Sequence, residues 1–160
     1  DEFAIQTLME YEGKKFINVC SKDLNLSSDE ENKKLDKLNS EHSDLFKAMK
    51  ESLADSVSEV RFTNRLKSHP VCLTTEGDVS VEMEKVFNAM PTDNKIKANT
   101  ILEINSEHKI VDKLNDLYKN DKDELAKYTK ILYALAWLFE GLTIDNPTEI
   151  SNLVCDLISK

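Results

Sequence analysis

Glycine is scarce in this chain. Gly13, Gly77 and Gly141 are its whole complement, and they lie far apart. A phosphate-cradling loop needs closely spaced glycines so that backbone N–H groups can approach the anion, and no such loop can be built from these three. Cysteine is equally thin. Cys20, Cys72 and Cys155 are isolated, odd in number and without a C-x-x-C pair. That pattern fits reduced, buried thiols in a cytoplasmic protein better than a disulfide framework or a zinc site. The three histidines, His42, His69 and His108, lack the i, i+4 spacing that puts two metal ligands on one helix face. No G-x-S-x-G nucleophile elbow occurs. Long apolar runs are missing too. The longest, Ile131 to Phe139, falls far short of the roughly 20 residues a membrane-spanning helix needs. No charged segment followed by an apolar one reads as a signal peptide. Positive charge is the minority, 21 Lys and Arg against 30 Asp and Glu, for a net charge of −9. A nucleic-acid backbone is gripped by clustered basic residues, so DNA and RNA are excluded as main partners.

What remains assigns no catalytic, cofactor-binding or metal-ligating residue. Thirty carboxylates guarantee chance pairs, so an acidic pair alone carries no weight. The first residue is Asp1, which suggests a piece of a longer protein. Residues 1–26 read as the tail of a preceding domain: Phe3, Ile5, Leu8 and Met9 suit a short helix, Gly13 turns the chain, and Phe16, Ile17 and Val19 suit a strand. Residues 27–160 read as the main domain. Ser28 with Glu31 forms a capping box. Leu35, Leu38, His42, Leu45, Met49 and Leu53 then mark one face of a single long helix to about Asp55. His42 sits on that stripe as a packed residue rather than a ligand.

The period then shortens to two. Val60, Phe62 and Leu66 alternate with Arg61, Thr63 and Arg65, and Val71 to Thr75 follows as a second strand. The two are expected to pair as a hairpin around Lys67–Pro70, with the two arginines solvated or facing a partner. Asp78 to Met90 reads as a short helix, and Thr100 to Ile104 as a third strand. Asn105 is placed to cap a helix from Ser106 to about Asn120, and Asp121 with Glu124 starts another that Gly141 ends. Asn146–Pro147–Thr148–Glu149 starts the last helix. The expected fold is α+β, with a small three-stranded sheet and about five helices.

Two stretches exceed what a solvated helix needs. From Ile131 to Phe139 the helix is apolar on nearly every side. It is either the central helix of the core or, with the last helix and its stripe of Ile150, Leu153, Val154, Leu157 and Ile158, half of a bundle completed by a second copy. The candidate dimer residues are Leu132, Leu135, Leu138, Leu153, Val154, Leu157 and Ile158. In the helix before the third strand, Val79, Met83, Val86, Phe87 and Met90 share one side. That stripe either packs on the sheet or meets other proteins, and methionine suits surfaces that accept many shapes.

Three motifs carry a resemblance. EVRFTNRLKSHPVCL, from Glu59 to Leu73, is similar to a strand–turn–strand element of the C-terminal domain of the heat-shock-protein-90 family, with His69 where that family often has Ser. TILEINSEH, from Thr100 to His108, resembles the family's L-E-I-N-P-x-H element, with Ser106 in place of Pro. Asp1-Glu2-Phe3 and Glu10 to Phe16 resemble the end of its middle domain. The chain ends without the acidic tail of eukaryotic members and so resembles a bacterial, high-temperature protein G type.

The resemblance implies an ATP-dependent chaperone acting as a parallel homodimer, with ATP and Mg bound outside this chain. It implies that the last two helices of each copy form a four-helix bundle. It also implies that Val79, Met83, Val86, Phe87 and Met90 touch unfolded or partly folded client proteins. No nucleic acid or membrane is expected as a partner. The alternative is a fragment of an enzyme whose residues complete a catalytic site with an upstream domain.

Overall fold

The computed structural model describes residues 4, 7–16, 28–77, 79–91, 96–144 and 146–159. Near the start, strands β1 (Glu10–Tyr11) and β2 (Lys14–Lys15) pair antiparallel, Glu10 with Lys15 and Tyr11 with Lys14. Between them Glu12 and Gly13 both take positive φ, 50° and 74°. That is the two-residue hairpin turn whose twist matches its strands. The strand therefore lies before and after Gly13, and not only after it. Ile17 and Val19, expected in a strand, and Phe3 and Ile5, expected in a helix, are outside the described residues.

The expected long helix is two. Helix α1 (Asp29–Glu41) opens on the Ser28 capping box, with Ser28 N donating to Glu31 Oε2 at 2.9 Å. Helix α2 (Ser43–Leu53) follows after a break at His42, where φ and ψ are −105° and 14°. The His42 ring explains the break. Its Nδ1–H donates to Leu38 O at 2.9 Å, and its ring stands edge-on to Phe62 at 5.1 Å. The bend lets each helix do a different job. α1 lies on a sheet edge, while α2 buries Leu45, Phe46, Met49 and Leu53. A 3₁₀ turn, Ala54–Ser56, ends this unit.

The main sheet joins β3 (Glu59–Thr63), β4 (Val71–Glu76) and β5 (Asn99–Asn105) in the order β3-β5-β4. The hairpin expectation is overturned. β5 lies between its two neighbours, parallel to β3 and antiparallel to β4. The connection 64–70 spans the two strand spacings of about 5 Å each that this requires. Asn105 fastens it over the end of β5: its Nδ2 donates to His69 O at 3.1 Å and its backbone N to Pro70 O at 2.9 Å. β3 ends at Thr63, before the expected Leu66.

β3 is an edge strand, and an edge leaves backbone groups unpaired. Asn39 of α1 closes it. Phe62 N donates to Asn39 Oδ1 at 2.7 Å, and Asn39 Nδ2 donates back to Phe62 O at 3.4 Å.

After the main sheet's first strands, the described residues form four further helices of the α+β fold: α3 (Val81–Ala89), α4 (Ile110–Asn120), α5 (Lys122–Phe139) and α6 (Pro147–Ile158). α3 starts later than expected, because the Ser80 hydroxyl accepts from Met83 N at 3.1 Å. α4 also starts late. Asn105 caps only a turn, accepting from Glu107 N at 3.0 Å, and the helix begins at Ile110. α5 and α6 open on the expected caps, Asp121 and Asn146. One sheet face presents Val60, Phe62, Val71, Leu73, Leu102 and Ile104 to α2, α4 and α5, and this is the hydrophobic core.

Candidate functional site

The other sheet face carries charge. Register places Arg61, Glu103 and Cys72 in one row across β3, β5 and β4. Glu103 is 1% exposed. Arg61 Nε donates to its Oε1 at 3.0 Å, Arg61 Nη2 donates to the same oxygen, and Arg65 Nη2 donates to Oε2 at 2.6 Å. The arginines are thus not a solvated or partner-facing pair. Both are turned onto a buried carboxylate. Burial alone would raise the Glu103 carboxyl, but the hydrogen bonds from Arg65 and Arg61 outweigh it and hold it below its ordinary value. Burial, then the Glu103 charge, pushes the Cys72 thiol up to about 12. A thiol that stays protonated is a poor nucleophile, and the contacts from Arg61 and Arg65 tie β3 and the connection beyond it to β5. Sequence offered a signal for it: a carboxylate inside the apolar run Ile101 to Ile104, with two arginines on one face of a nearby strand. Among the described residues, no group of three or more His, Cys, Asp or Glu could hold a metal ion.

The apolar helix α5 is the hub of the core. It packs against α2, β4, α4 and α6. Leu125, Leu132, Ala134 and Ala136 are buried, and Tyr133, Leu135 and Trp137 are partly buried against the core. Much of its all-round apolar surface is therefore used within one chain. Leu132, at 4% exposure, has no surface to offer a second copy. The most exposed apolar residues of the helix are at its end, Leu138 and Phe139. His69 caps that end, its ring 4.7 Å from the Phe139 ring.

α6 is different. It lies along α5 in the opposite direction, tied by Lys130 to Glu149 at 2.9 Å and Lys127 to Asp156 at 3.9 Å. Yet it buries no residue at all. Ile150, Leu153, Val154 and Leu157 stay half-buried, and Ile158 is 79% exposed. The expected interface residues Leu135, Leu138, Leu153, Val154, Leu157 and Ile158 thus keep apolar surface, unlike Leu132.

α3 divides its stripe in two. Met83 is 6% exposed, so it is mostly core. Val79, which precedes α3 and so is not on the helix as expected, and Phe87 are half-buried. Val86 and Met90, at 43% and 45%, face outward. Two polar contacts hold the helix: Glu84 accepts from Ala98 N at 2.7 Å, and Lys85 lies over the Trp137 ring, 4.9 Å from its centre. Sequence reasoning passed over Trp137, although it is the only tryptophan in the chain.

Among the described residues, no helix is long and apolar enough to cross a membrane. A family model described as Hsp90 protein matches residues 1–160. Curated relatives include the chaperone protein HtpG of Clostridium perfringens (strain 13 / Type A), 48% identical over 158 residues, which is 99% of this chain and 25% of that protein. Chaperone protein HtpG of Bacillus velezensis is 48% identical, and that of Bacillus subtilis (strain 168) 46%, both over the same shares. The chain spans about a quarter of the length of these relatives. With the family model matching from end to end, this chain belongs to the Hsp90 protein family.

Proposed function

We propose that this chain is the C-terminal part of a cytoplasmic HtpG-type chaperone, in which residues 27–160 pair two copies and touch client proteins while residues 1–26 end a preceding domain. The observation that carries the reading is α6, an apolar stripe on a helix with no buried residue. Exposed apolar surface of this kind marks an interaction site. Together with Leu138 and Phe139 it forms a surface that a second copy can cover symmetrically. Two helices per copy can supply the roughly 1,200–2,000 Å² that stable interfaces bury. Leu135, Leu138, Leu153, Val154, Leu157 and Ile158 form that interface.

Client contact rests on the outward part of the α3 stripe, Val86 and Met90, with Val79 and Phe87 beside them. Met83 supports the helix from beneath. On this reading ATP and Mg act elsewhere in the full-length chaperone, and we assign no catalytic residue to this chain.

Sedimentation of the chain tests the pairing. A dimer at micromolar concentration that becomes a monomer on deletion of residues 145–160 supports it. A monomer before deletion, or a dimer that survives it, sinks it. Calorimetry with Mg-ATP is expected to give no saturable heat. A micromolar Kd would favour instead the reading in which these residues complete a catalytic site.

A further inference from the structure

We propose that α1 is a displaceable cover on the edge of the main sheet, and that β3 beneath it pairs with an extended segment of another polypeptide. Asn39 carries the inference. Its side-chain amide offers a carbonyl and an N–H donor, as a peptide group does, and it meets β3 as a neighbouring strand would. It accepts from Phe62 N at 2.7 Å and donates to Phe62 O at 3.4 Å. One side chain thus stands in for one residue of a missing strand.

The edge continues beyond Asn39. Thr63, next to Phe62, turns its carbonyl the other way and accepts from Ser106 N, just after β5, at 3.1 Å. Successive residues of a strand alternate in this respect, so Val60 points its N–H and carbonyl outward with those of Phe62. On that side Val60 has no bonded partner among the described residues. It is nevertheless 3% exposed, because α1 and α2 lie against β3. Buried backbone groups are nearly always paired. This stretch of edge therefore offers two donors and two acceptors at strand spacing, with one pair in use.

α1 is suited to leave as a unit. It buries no residue, and Leu35 and Leu38 are only half-buried. The Ser28 capping box lies wholly within its first turn, so that stabilisation moves with the helix. At its other end the chain breaks at His42. The His42 ring stays on Phe46 and Phe62, which places the hinge beside the edge it uncovers.

The chemistry of the edge defines the partner. Backbone bonds do not read side-chain identity, so the edge asks for an extended chain and not for one sequence. On the core side the partner replaces Leu35 and Leu38 with apolar side chains of its own. On the other side it runs beside Glu59, Arg61 and Thr63. A segment that alternates apolar and polar residues suits both faces. The inference stands apart from the α3 stripe and from pairing through α6, so its failure leaves both readings untouched.

The probe is acetyl-Lys-Thr-Val-Thr-Val-Thr-Lys-amide. Its control is the same peptide N-methylated throughout its centre, which cannot donate there. Amide hydrogen exchange of the ¹⁵N-labelled chain reads both sides of the edge. In the free chain the α1 amides should exchange together, at least about tenfold faster than those of β5. The probe should slow Val60 and Phe62 and speed α1, saturably, and the control should do neither. Asn39→Ala loosens the cover, so it should bind the probe about tenfold more tightly. Asn39→Asp, which keeps the bond from Phe62 N, should show a smaller gain. An Asn39 that only closes the edge would leave probe affinity unchanged or lower in both variants. The proposal is overturned if α1 opens only together with β5, if both peptides act alike, or if neither variant binds more tightly. Protection at Val60 that grows with protein concentration in the absence of peptide assigns the edge to a second copy, and overturns it too.

Discussion

Arg65 donates to Glu103 across 2.6 Å, tying the connection beyond β3 to the middle of β5. Arg61 reaches the other oxygen of the same carboxylate. Neither arginine could be exchanged for lysine without loss, because a single ammonium cannot reproduce the guanidinium geometry. Removing the carboxylate leaves two part-buried cations facing each other. Glu103→Ala should therefore lower stability by roughly 3–5 kcal/mol, read from urea unfolding.

The same group sets a pH dependence. Glu103 is held below its ordinary value of 4.5, so the unfolded chain takes up its proton first as the solution is acidified. Its contribution is complete above the unfolded value and is lost as pH falls through the lower, folded one. Urea midpoints measured downward from neutral pH should fall more steeply below about pH 4.5 in the wild type than in Glu103→Gln. Parallel curves for the two proteins would show that Glu103 does not carry the acid limb.

Asn39 meets both backbone groups of Phe62 on the free edge of β3. Asn39→Ala leaves a donor and an acceptor unpaired, with an expected loss of about 1–3 kcal/mol. Asn39→Asp keeps the acceptor for Phe62 N–H and should lose less. If both variants unfold at the wild-type urea concentration, the edge is closed by something other than Asn39.

Ala54 follows α2 with φ 48° and ψ −129°, a region that residues with a side chain rarely adopt. Glycine enters it without steric conflict, at some entropic expense in the unfolded chain. Ala54→Gly is expected to raise stability by about 1 kcal/mol in thermal or urea unfolding. A destabilised variant would contradict the strain.

Within α3, buried and outward residues should separate cleanly. Met83→Ala should cost about 2–5 kcal/mol, as large-to-small core changes do. Val86→Ser with Met90→Ser should stay within about 0.5 kcal/mol for each substitution. Under the proposed client contact, the double variant also loses affinity for a partly unfolded protein, measured by suppression of aggregation. Unchanged suppression would remove α3 from the client surface.

Much of the fold was legible from short-range chemistry. Ser28, Asp121 and Asn146 announced three helix starts because a capping bond spans only three residues. The strand positions followed from alternation. Sheet order did not, because Val60 to Leu66 and Val71 to Thr75 look alike whether they pair with each other or with a third strand. The deciding bonds, from Asn105 to His69 and Pro70, join residues remote in sequence. The break at His42 was hidden for a similar reason: the apolar spacing runs straight through it, and only the Leu38 carbonyl and the Phe62 ring reveal the bend. At the candidate surface, periodicity put Leu153, Leu157 and Val86 on helices that leave them partly or fully exposed, but it ran the α3 stripe too far, since Val79 and Met90 lie outside Val81–Ala89. It could not tell that Leu132 and Met83 spend theirs inward, since a stripe has the same period whichever body covers it.

The place of β5 between β3 and β4 has a kinetic side. During synthesis both flanking strands leave the ribosome well before Asn99, the first residue of the strand on which each must pair. A nascent chain at that stage carries two alternating segments joined by a short connection, with hairpin pairing as their nearest outlet. Completing the sheet then requires any such hairpin to open and admit the late strand. Pairing at this sequence distance is slow compared with helix formation. α1 and α2, complete before β3 appears, are the elements able to wait. Asn39 and Phe46, which hold Phe62 in the folded chain, both precede it in sequence, so the helical partners of β3 are synthesised before its strand partner.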